Sequence, residues 1–357
     1  MFCSYHGAGY GCNPKYITQA LLQRAKLPLD IIWLTRQHDE SIPASVRQLR
    51  YGSVDAAQAL STAQVWVDNT RTRRYLKKKP EQFYIQTWHG CLSPKLLEAD
   101  MEAFLSKTYI RGAQQDSRDA DLMICNNDHF EGVMRRAFWY DGTILRCGLP
   151  RNAPLIHPRQ EVREQVRKRL GVPAGFGLCL YAPTFRDDGD TSVYCFDYQR
   201  CCQSLEQRFG MPFVFALRLH PNLAHDKGLV TSDNIINVSS YSDPIELLCA
   251  ADVCISDYSS MAEDFALLGR PGYLYLPDMD AFSASRGGIY YPHDVRPYPA
   301  ATSEDELMQL IATTPDAEFA VRREAFFDMV GLDDDGYGDY VLAEIIESYV
   351  AGKSLSF

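Results

Sequence analysis

Several short segments of this chain are apolar at almost every position, among them Phe213 to Leu217 (FVFAL) and Val253 to Ser256 (VCIS). A strand with one wet face alternates apolar and polar side chains, so unbroken runs like these need cover on both faces. Helices give that cover in parallel sheets. Amphipathic stretches and turn residues do alternate with such runs from end to end, which makes the chain α/β. At 357 residues it is long for one sheet, and two doubly wound domains in tandem are expected.

In the first half, strands are expected near Phe2 to Tyr5, Asp30 to Thr35, Val65 to Asp68, Phe83 to Thr87, Leu122 to Asn126 and Thr143 to Cys147, with helices between them. One helix spans Pro14 to Arg24, with Asn13 as its N-cap and proline at its first position. The segment GLPRNAP, from Gly148 to Pro154, suits neither helix nor strand, and the domain boundary is set there, giving domains 1–150 and 151–330. A helix from Glu161 to Leu170 follows. Further strands are expected at Leu178 to Ala182, Phe213 to Leu219, Ile235 to Val238, Val253 to Ser256 and Gly272 to Leu276. Helices are expected at Cys202 to Phe209, Pro244 to Ala250, Ser260 to Leu268 and Glu304 to Ile311, and two more between Phe319 and Val350.

Composition excludes several classes. A net charge of −10 disfavours general binding to nucleic acid, so any polyanion site must be local. No apolar run approaches the roughly 20 residues of a spanning helix, and nothing at the start reads as a secretory signal, so the cytosol is the expected compartment. The 11 cysteines show no C-x-x-C pair and fit small buried side chains better than a disulfide framework or zinc site. His6, His38, His129, His157, His225 and His293 lack metal-ligand spacing, and no metal site is expected.

Chemistry is concentrated where expected strands end. After VCIS comes a polar turn with Ser259 and Ser260, then a helix carrying Asp264. A strand end opening onto a helix N-terminus attracts phosphate, and Asp264 suits a ribose or glycerol hydroxyl; plain helix capping explains the serines equally well. RLHPN follows FVFAL and brings Arg218 and His220 to a strand end, while YAPTFRDDGD brings Thr184 and Arg186 to another. Walker and G-x-G-x-x-G motifs are absent. In the first half, QTWHG places His89 between Trp88 and Gly90 after a strand, with a side chain suited to taking a proton from a hydroxyl. Residues 71 to 79 hold six basic side chains: Arg71, Arg73, Arg74, Lys77, Lys78 and Lys79. They read either as a solvated turn or as a docking patch for an anionic membrane face or polymer acceptor. Asp333 to Asp335 lack the other ligands of a calcium loop and are assigned to N-capping of the last helix.

These pieces together resemble the CDP-glycerol glycerophosphotransferases, which build teichoic-acid-like and capsular polymers. The matching segments are CNPKYI at 12–17, YIQTWHG at 84–90, KLLEAD at 95–100, AFWYDG at 137–142, GLPRN at 148–152, YAPTFRDDG at 181–189, RLHPN at 218–222, SDYSSMAEDFALLGRP at 256–271 and RGGIYY at 286–291. The resemblance implies a GT-B fold, two Rossmann-like domains facing across a cleft, with residues 331–357 returning to the first. It implies His89 as catalytic base and His220 at the donor phosphates. Trp88, Gly90, Arg151, Thr184, Arg186, Arg218, Ser259, Ser260 and Asp264 are implied as donor-binding residues. Where the family motif reads PRND this chain has PRNA, with Ala153 replacing the acid.

The implied reaction moves a polyol phosphate, glycerol phosphate first, from a CDP donor to the hydroxyl of a lipid-linked or polymeric acceptor and releases CMP. It implies no cofactor or metal, no nucleic acid partner, and peripheral contact with the inner membrane face. A CDP-ribitol transferase, a sugar-nucleotide glycosyltransferase or epimerase of the same fold, and a non-enzymatic binding module are the rival readings.

Overall fold

The computed structural model describes residues 1–71, 77–184, 186, 191–195, 197–219 and 234–355, apart from the side chains of Tyr194 and Arg286. Two parallel sheets organise them. The first contains β1 (Phe2–Cys3), β2 (Ile32–Thr35), β3 (Arg47–Arg50), β4 (Val65–Asp68), β5 (Phe83–Gln86), β6 (Leu122–Cys125) and β7 (Thr143–Arg146), in the order 3-2-1-4-5-6-7. The second contains β8 (Gly177–Ala182), β9 (Phe213–Leu217), β10 (Ile235–Asn237), β11 (Val253–Ser256), β12 (Gly272–Tyr275) and β13 (Ala300–Ala301), in the order 10-9-8-11-12-13. Every strand pairing is parallel.

Helices α1 (Cys12–Arg24), α2 (Val54–Thr62), α3 (Lys107–Asp119) and α4 (Asp128–Ala137) belong to the first half of the chain. In the second half come α5 (Ala153–Ile156), α6 (Gln160–Leu170), α7 (Tyr198–Phe209), α8 (Pro244–Ala250), α9 (Met261–Ala266), α10 (Met279–Arg286) and α11 (Glu304–Thr313). Helices α12 (Asp316–Val330) and α13 (Gly338–Val350) complete the chain. Phe319 of α12 packs in the core of the second sheet, while Leu342, Ala343 and Ile346 of α13 pack in the core of the first.

The strands apolar at almost every position, β8, β9 and β11, are wholly buried and lie inside the second sheet. Two edge strands differ from the sequence reading. β3 (RQLR) is half exposed at the sheet edge, where charged side chains are tolerated, and β13 is two residues long; neither carries the apolar run that marks a covered strand. Capping also differs at two places. Asn13 is not the N-cap of α1: the helix starts from Gly11, and the Asn13 amide donates to the carbonyls of Thr87 and Trp88, 3.3 and 3.0 Å away. The last helix has no side-chain cap. Asp334 instead accepts from the amides of Asn126 and Asn152 and the backbone N–H of Leu149, because the chain reverses there beneath buried donors.

The two sheets meet through tight, charged contacts. Lys15 of α1 lies 2.7 Å from Asp243 and 2.6 Å from Glu246, and the Tyr16 hydroxyl donates to Asp243 at 2.9 Å. Lys15 and Asp243 are buried, so removing Lys15 leaves the Asp243 carboxylate without its cation, a loss of about 3–5 kcal/mol, whereas Lys15 without Asp243 still meets Glu246. Gly11 presses on the same turn, where a Cβ would lie 3.1 Å from the Ser242 carbonyl oxygen. Strand order reverses between β1 and β4 in one sheet and between β8 and β11 in the other. Crevices open at the carboxyl ends of strands at such points.

Candidate active site

The first crevice is built around the turn after β5. Trp88 sits at φ 53°, a left-handed conformation that costs a bulky residue about 1–3 kcal/mol unless surrounding contacts impose it. Those contacts are present. The Trp88 N–H donates to Gln86 Oε1 at 3.0 Å, its carbonyl accepts from Thr87 and Asn13, and its ring packs edge-on against Phe138. The strained turn delivers His89 to the crevice, stacked on Trp88 with ring centroids 4.4 Å apart and edge-on to Tyr5 at 5.8 Å.

His89 Nδ1 lies 2.8 Å from the backbone carbonyl of Asn69, at the end of β4. A carbonyl only accepts, so Nδ1 carries the proton and Nε2 keeps its lone pair. Burial pushes the imidazole pKa down to about 4; the Asn69 carbonyl opposes that shift, and Arg151, Lys95 and His6 reinforce it. At neutral pH the ring is therefore an uncharged proton acceptor. Asn69 also accepts the Tyr5 N–H at 2.9 Å, joining the turns after β1, β4 and β5. The sequence reading missed Asn69, although its position directly after VWVD, at a strand end, marks it.

Opposite stand the strand ends of the second sheet. The Thr184 N–H donates to both carboxylate oxygens of Asp257, at 2.8 and 2.9 Å, whereas its buried hydroxyl has no partner among the described residues. Arg218 is held by the Tyr241 carbonyl at 2.9 Å, and among the described residues no carboxylate pairs with it. Burial lowers its pKa, with Tyr5 and Asp243 opposing. Ser259 accepts from the Met261 N–H at 3.3 Å. Ser260 caps nothing with its side chain and meets the first half: a Cβ on Gly90, at φ +156°, would lie 3.3 Å from its hydroxyl oxygen. Helix α9 is only six residues long, shorter than the expected Ser260 to Leu268, so this turn presents backbone N–H groups and hydroxyls more than a long helix dipole. His220 lies outside the described residues.

Three expected positions are paired with charges inside the protein. Arg186 is already neutralised, 2.9 Å from Asp257 and 2.6 Å from Asp278, with its guanidinium over the stacked Tyr258 and Phe282 rings. Arg151 and Asp264 are buried and paired with each other.

The basic run requires correction. Arg71 is interior, 3.3 Å from both Glu98 and Asp116, where it supports the Trp88 and Phe138 rings from below. Lys78 is bound to Asp121 and the Gln82 carbonyl. Burial against Glu98 and Asp116 removes Arg71 from any surface patch, and pairing with the half-buried Asp121 neutralises Lys78. Lys77 and Lys79 are exposed, and Arg73 and Arg74 lie outside the described residues.

Among the described residues no group of three or more His, Cys, Asp or Glu side chains is placed to hold a metal ion, and no helix is long and apolar enough to cross a membrane. A cavity of about 540 Å³ lies behind the crevice, bordered by Gln19, His157 and Tyr337; none of the strand-end residues line it.

Comparison with known proteins places this architecture. The chain is 31% identical to the teichoic acid poly(glycerol phosphate) polymerase of Staphylococcus epidermidis over 97% of its length and 50% of that protein's. It thus spans about half the length of that relative. It is 28% identical to the teichoic acid glycerol-phosphate transferase of Staphylococcus aureus, over 97% of this chain and 92% of that one. A variant of the wall teichoic acid polymerase TagF soaked with CDPG superposes with a TM-score of 0.87 at 30% identity, covering 98% of this chain and 88% of that one. The family model for CDP-glycerol:poly(glycerophosphate) glycerophosphotransferase matches residues 1–347, and with a shared fold and a histidine-bearing crevice between two parallel sheets, the chain belongs to that family.

Proposed function

We propose that the protein transfers glycerol phosphate from CDP-glycerol to a hydroxyl of a growing, lipid-linked or polymeric teichoic-acid-like acceptor, releasing CMP. The observation that carries this reading is His89, whose Nδ1 is fixed on the Asn69 carbonyl so that Nε2 keeps its lone pair as a neutral base in the crevice. Family membership supplies the substrate class. In this reading the two halves form a GT-B pair, with residues 1–150 receiving the acceptor, 151–330 the donor, and 331–357 closing on the first half.

The acceptor hydroxyl gives its proton to His89 Nε2 as its oxygen bonds to the donor β-phosphorus; the bond from that phosphorus to the CMP oxygen breaks, and CMP departs with the electron pair. Arg218, Ser259, Ser260, Thr184 and His220 bind the diphosphate. The Thr184 hydroxyl, without a partner among the described residues, and a half-buried Arg218 whose partners among them are carbonyls support this, since each gains what the described residues do not give it. No cofactor is required in this scheme, and cationic and backbone donors absorb the charge on the leaving phosphate.

Transfer is tested by incubating the protein and an acceptor analogue with CDP-glycerol, CDP-ribitol and a UDP-sugar, with and without EDTA, while following nucleotide release. CMP release from CDP-glycerol that survives EDTA is expected. UDP release, or binding without release of any nucleotide, overturns the reading, and loss restored by Mg²⁺ replaces the metal-independent scheme. Association with anionic membrane would fall to Lys77 and Lys79, the exposed members of the basic run among the described residues.

A further inference from the structure

Arg151 carries contacts from both halves of the molecule. One terminal nitrogen of its guanidinium donates to the backbone carbonyl of His89, and the other donates to Asp264 of α9. Its own N–H donates to Asn13 Oδ1 at 3.0 Å, and the Asn13 amide reaches back to the carbonyls of Thr87 and Trp88. Three consecutive carbonyls, Thr87, Trp88 and His89, are thus gripped by Asn13 and Arg151. The grip is anchored on the helix that follows Ser259 and Ser260. Arg151 is 4% exposed and Asp264 is 1% exposed.

We propose that Arg151, Asp264 and Asn13 are positioning residues that fix the strained turn carrying His89 against α9, and that Arg151 and Asp264 do not bind the donor. The proposal rests on His89 being the base, and it changes the role expected for this pair. A guanidinium with both terminal nitrogens committed has no fork left for a phosphate. Nη1 also meets Cys12 Sγ at 4.0 Å, and the buried Nε–H has no partner among the described residues. The acid absent at Ala153 is not needed for pairing, because Asp264 supplies the carboxylate from α9. A planar fork meets the carbonyl and the carboxylate together, which a lysine cannot do. Asp264 Oδ1 has no partner among the described residues, so a donor hydroxyl on that oxygen is the competing outcome.

The test uses Arg151→Lys, Asp264→Asn and the double variant Arg151→Gln/Asp264→Asn, which leaves no unpaired buried charge if a single variant fails to fold. Calorimetry with CDP-glycerol gives donor affinity, CMP release at saturating donor gives kcat, and nitrogen-edited NMR of the free protein gives the His89 tautomer and titration. Besides Arg151, the groups facing that ring are Lys95, His6 and the Tyr5 ring. Expected are donor affinity within about twofold of wild type and kcat lower by about 10- to 100-fold, the cost of a misplaced reacting group. In Arg151→Lys and the double variant, the single Nδ1–H tautomer is lost. A tenfold weaker donor complex with kcat retained in Asp264→Asn, or an unchanged His89 spectrum in Arg151→Lys, overturns the proposal. If the wild type releases no CMP, the transferase reading fails, while the NMR measurement on the free protein still decides the positioning role.

Discussion

The turn after β5 and the strand ends of the second sheet are built in opposite ways. Around His89 nearly every polar group is answered within the protein: Asn69 takes the Nδ1 proton, Asn13 and Arg151 hold the carbonyls, and Arg71 lies under the rings. Across the crevice, the Thr184 hydroxyl is buried without a partner among the described residues, and the Ser260 side chain caps nothing. A proton acceptor must be in place before reaction, so its surroundings are complete. A binding surface for a charged donor gains its last hydrogen bonds from the ligand, so its donors stand ready.

The largest effect that would break this contrast comes from His89→Ala. It should lower transfer by about 10²- to 10⁴-fold, the contribution of a positioned base, while calorimetry finds donor affinity intact. Loss of donor binding in that variant would move His89 to the other side of the crevice. Next, Arg218→Gln, His220→Ala and Ser259→Ala should each weaken the CDP-glycerol complex by about 1.5–3 kcal/mol, the value of a hydrogen bond to a charged group. Equal affinity in all three would mean that the diphosphate lies elsewhere.

The pH response sharpens the same contrast. The native pKa of His89 is depressed to about 4 from an ordinary 6.5, so the folded state favours the neutral ring. Its contribution to stability is present above pH 6.5 and is lost as pH falls towards 4. Urea unfolding at pH 7.5 and pH 5 should show a larger acid loss for the wild type than for His89→Asn; equal losses would show that the ring is not depressed. The smallest effect concerns Lys77 and Lys79. Changing both to glutamine should reduce co-sedimentation with anionic vesicles at low salt only modestly and leave transfer to a soluble acceptor unchanged, since salt screens such a patch within about 8 Å. Equal sedimentation would make the run a solvated turn.

Much of this was legible in the residues. VCIS, FVFAL and VWVD have one stable environment, between two helical layers, and β4 and β11 begin and end where their apolar runs do. The strand-end positions of His89, Thr184 and Ser259 followed from the same pattern, because parallel strands deliver their carboxyl ends to one edge. RQLR escaped notice since an edge strand need not be apolar.

Partners distant in sequence were not legible. Periodicity and capping rules act over a few residues, so they report a strand end or a helix start and nothing about which charge lies opposite. Asn13 read as a cap and proved to hold the turn of His89, about 75 positions away. Arg71 and Lys78 read as surface charge, yet they pair with Asp116 and Asp121, because burial is decided by what packs over a side chain. The sequence by itself determined two covered parallel sheets and a histidine at a strand end. Only tertiary structure decided that Arg151 spans from His89 to Asp264, because that contact exists only when two separately formed sheets dock.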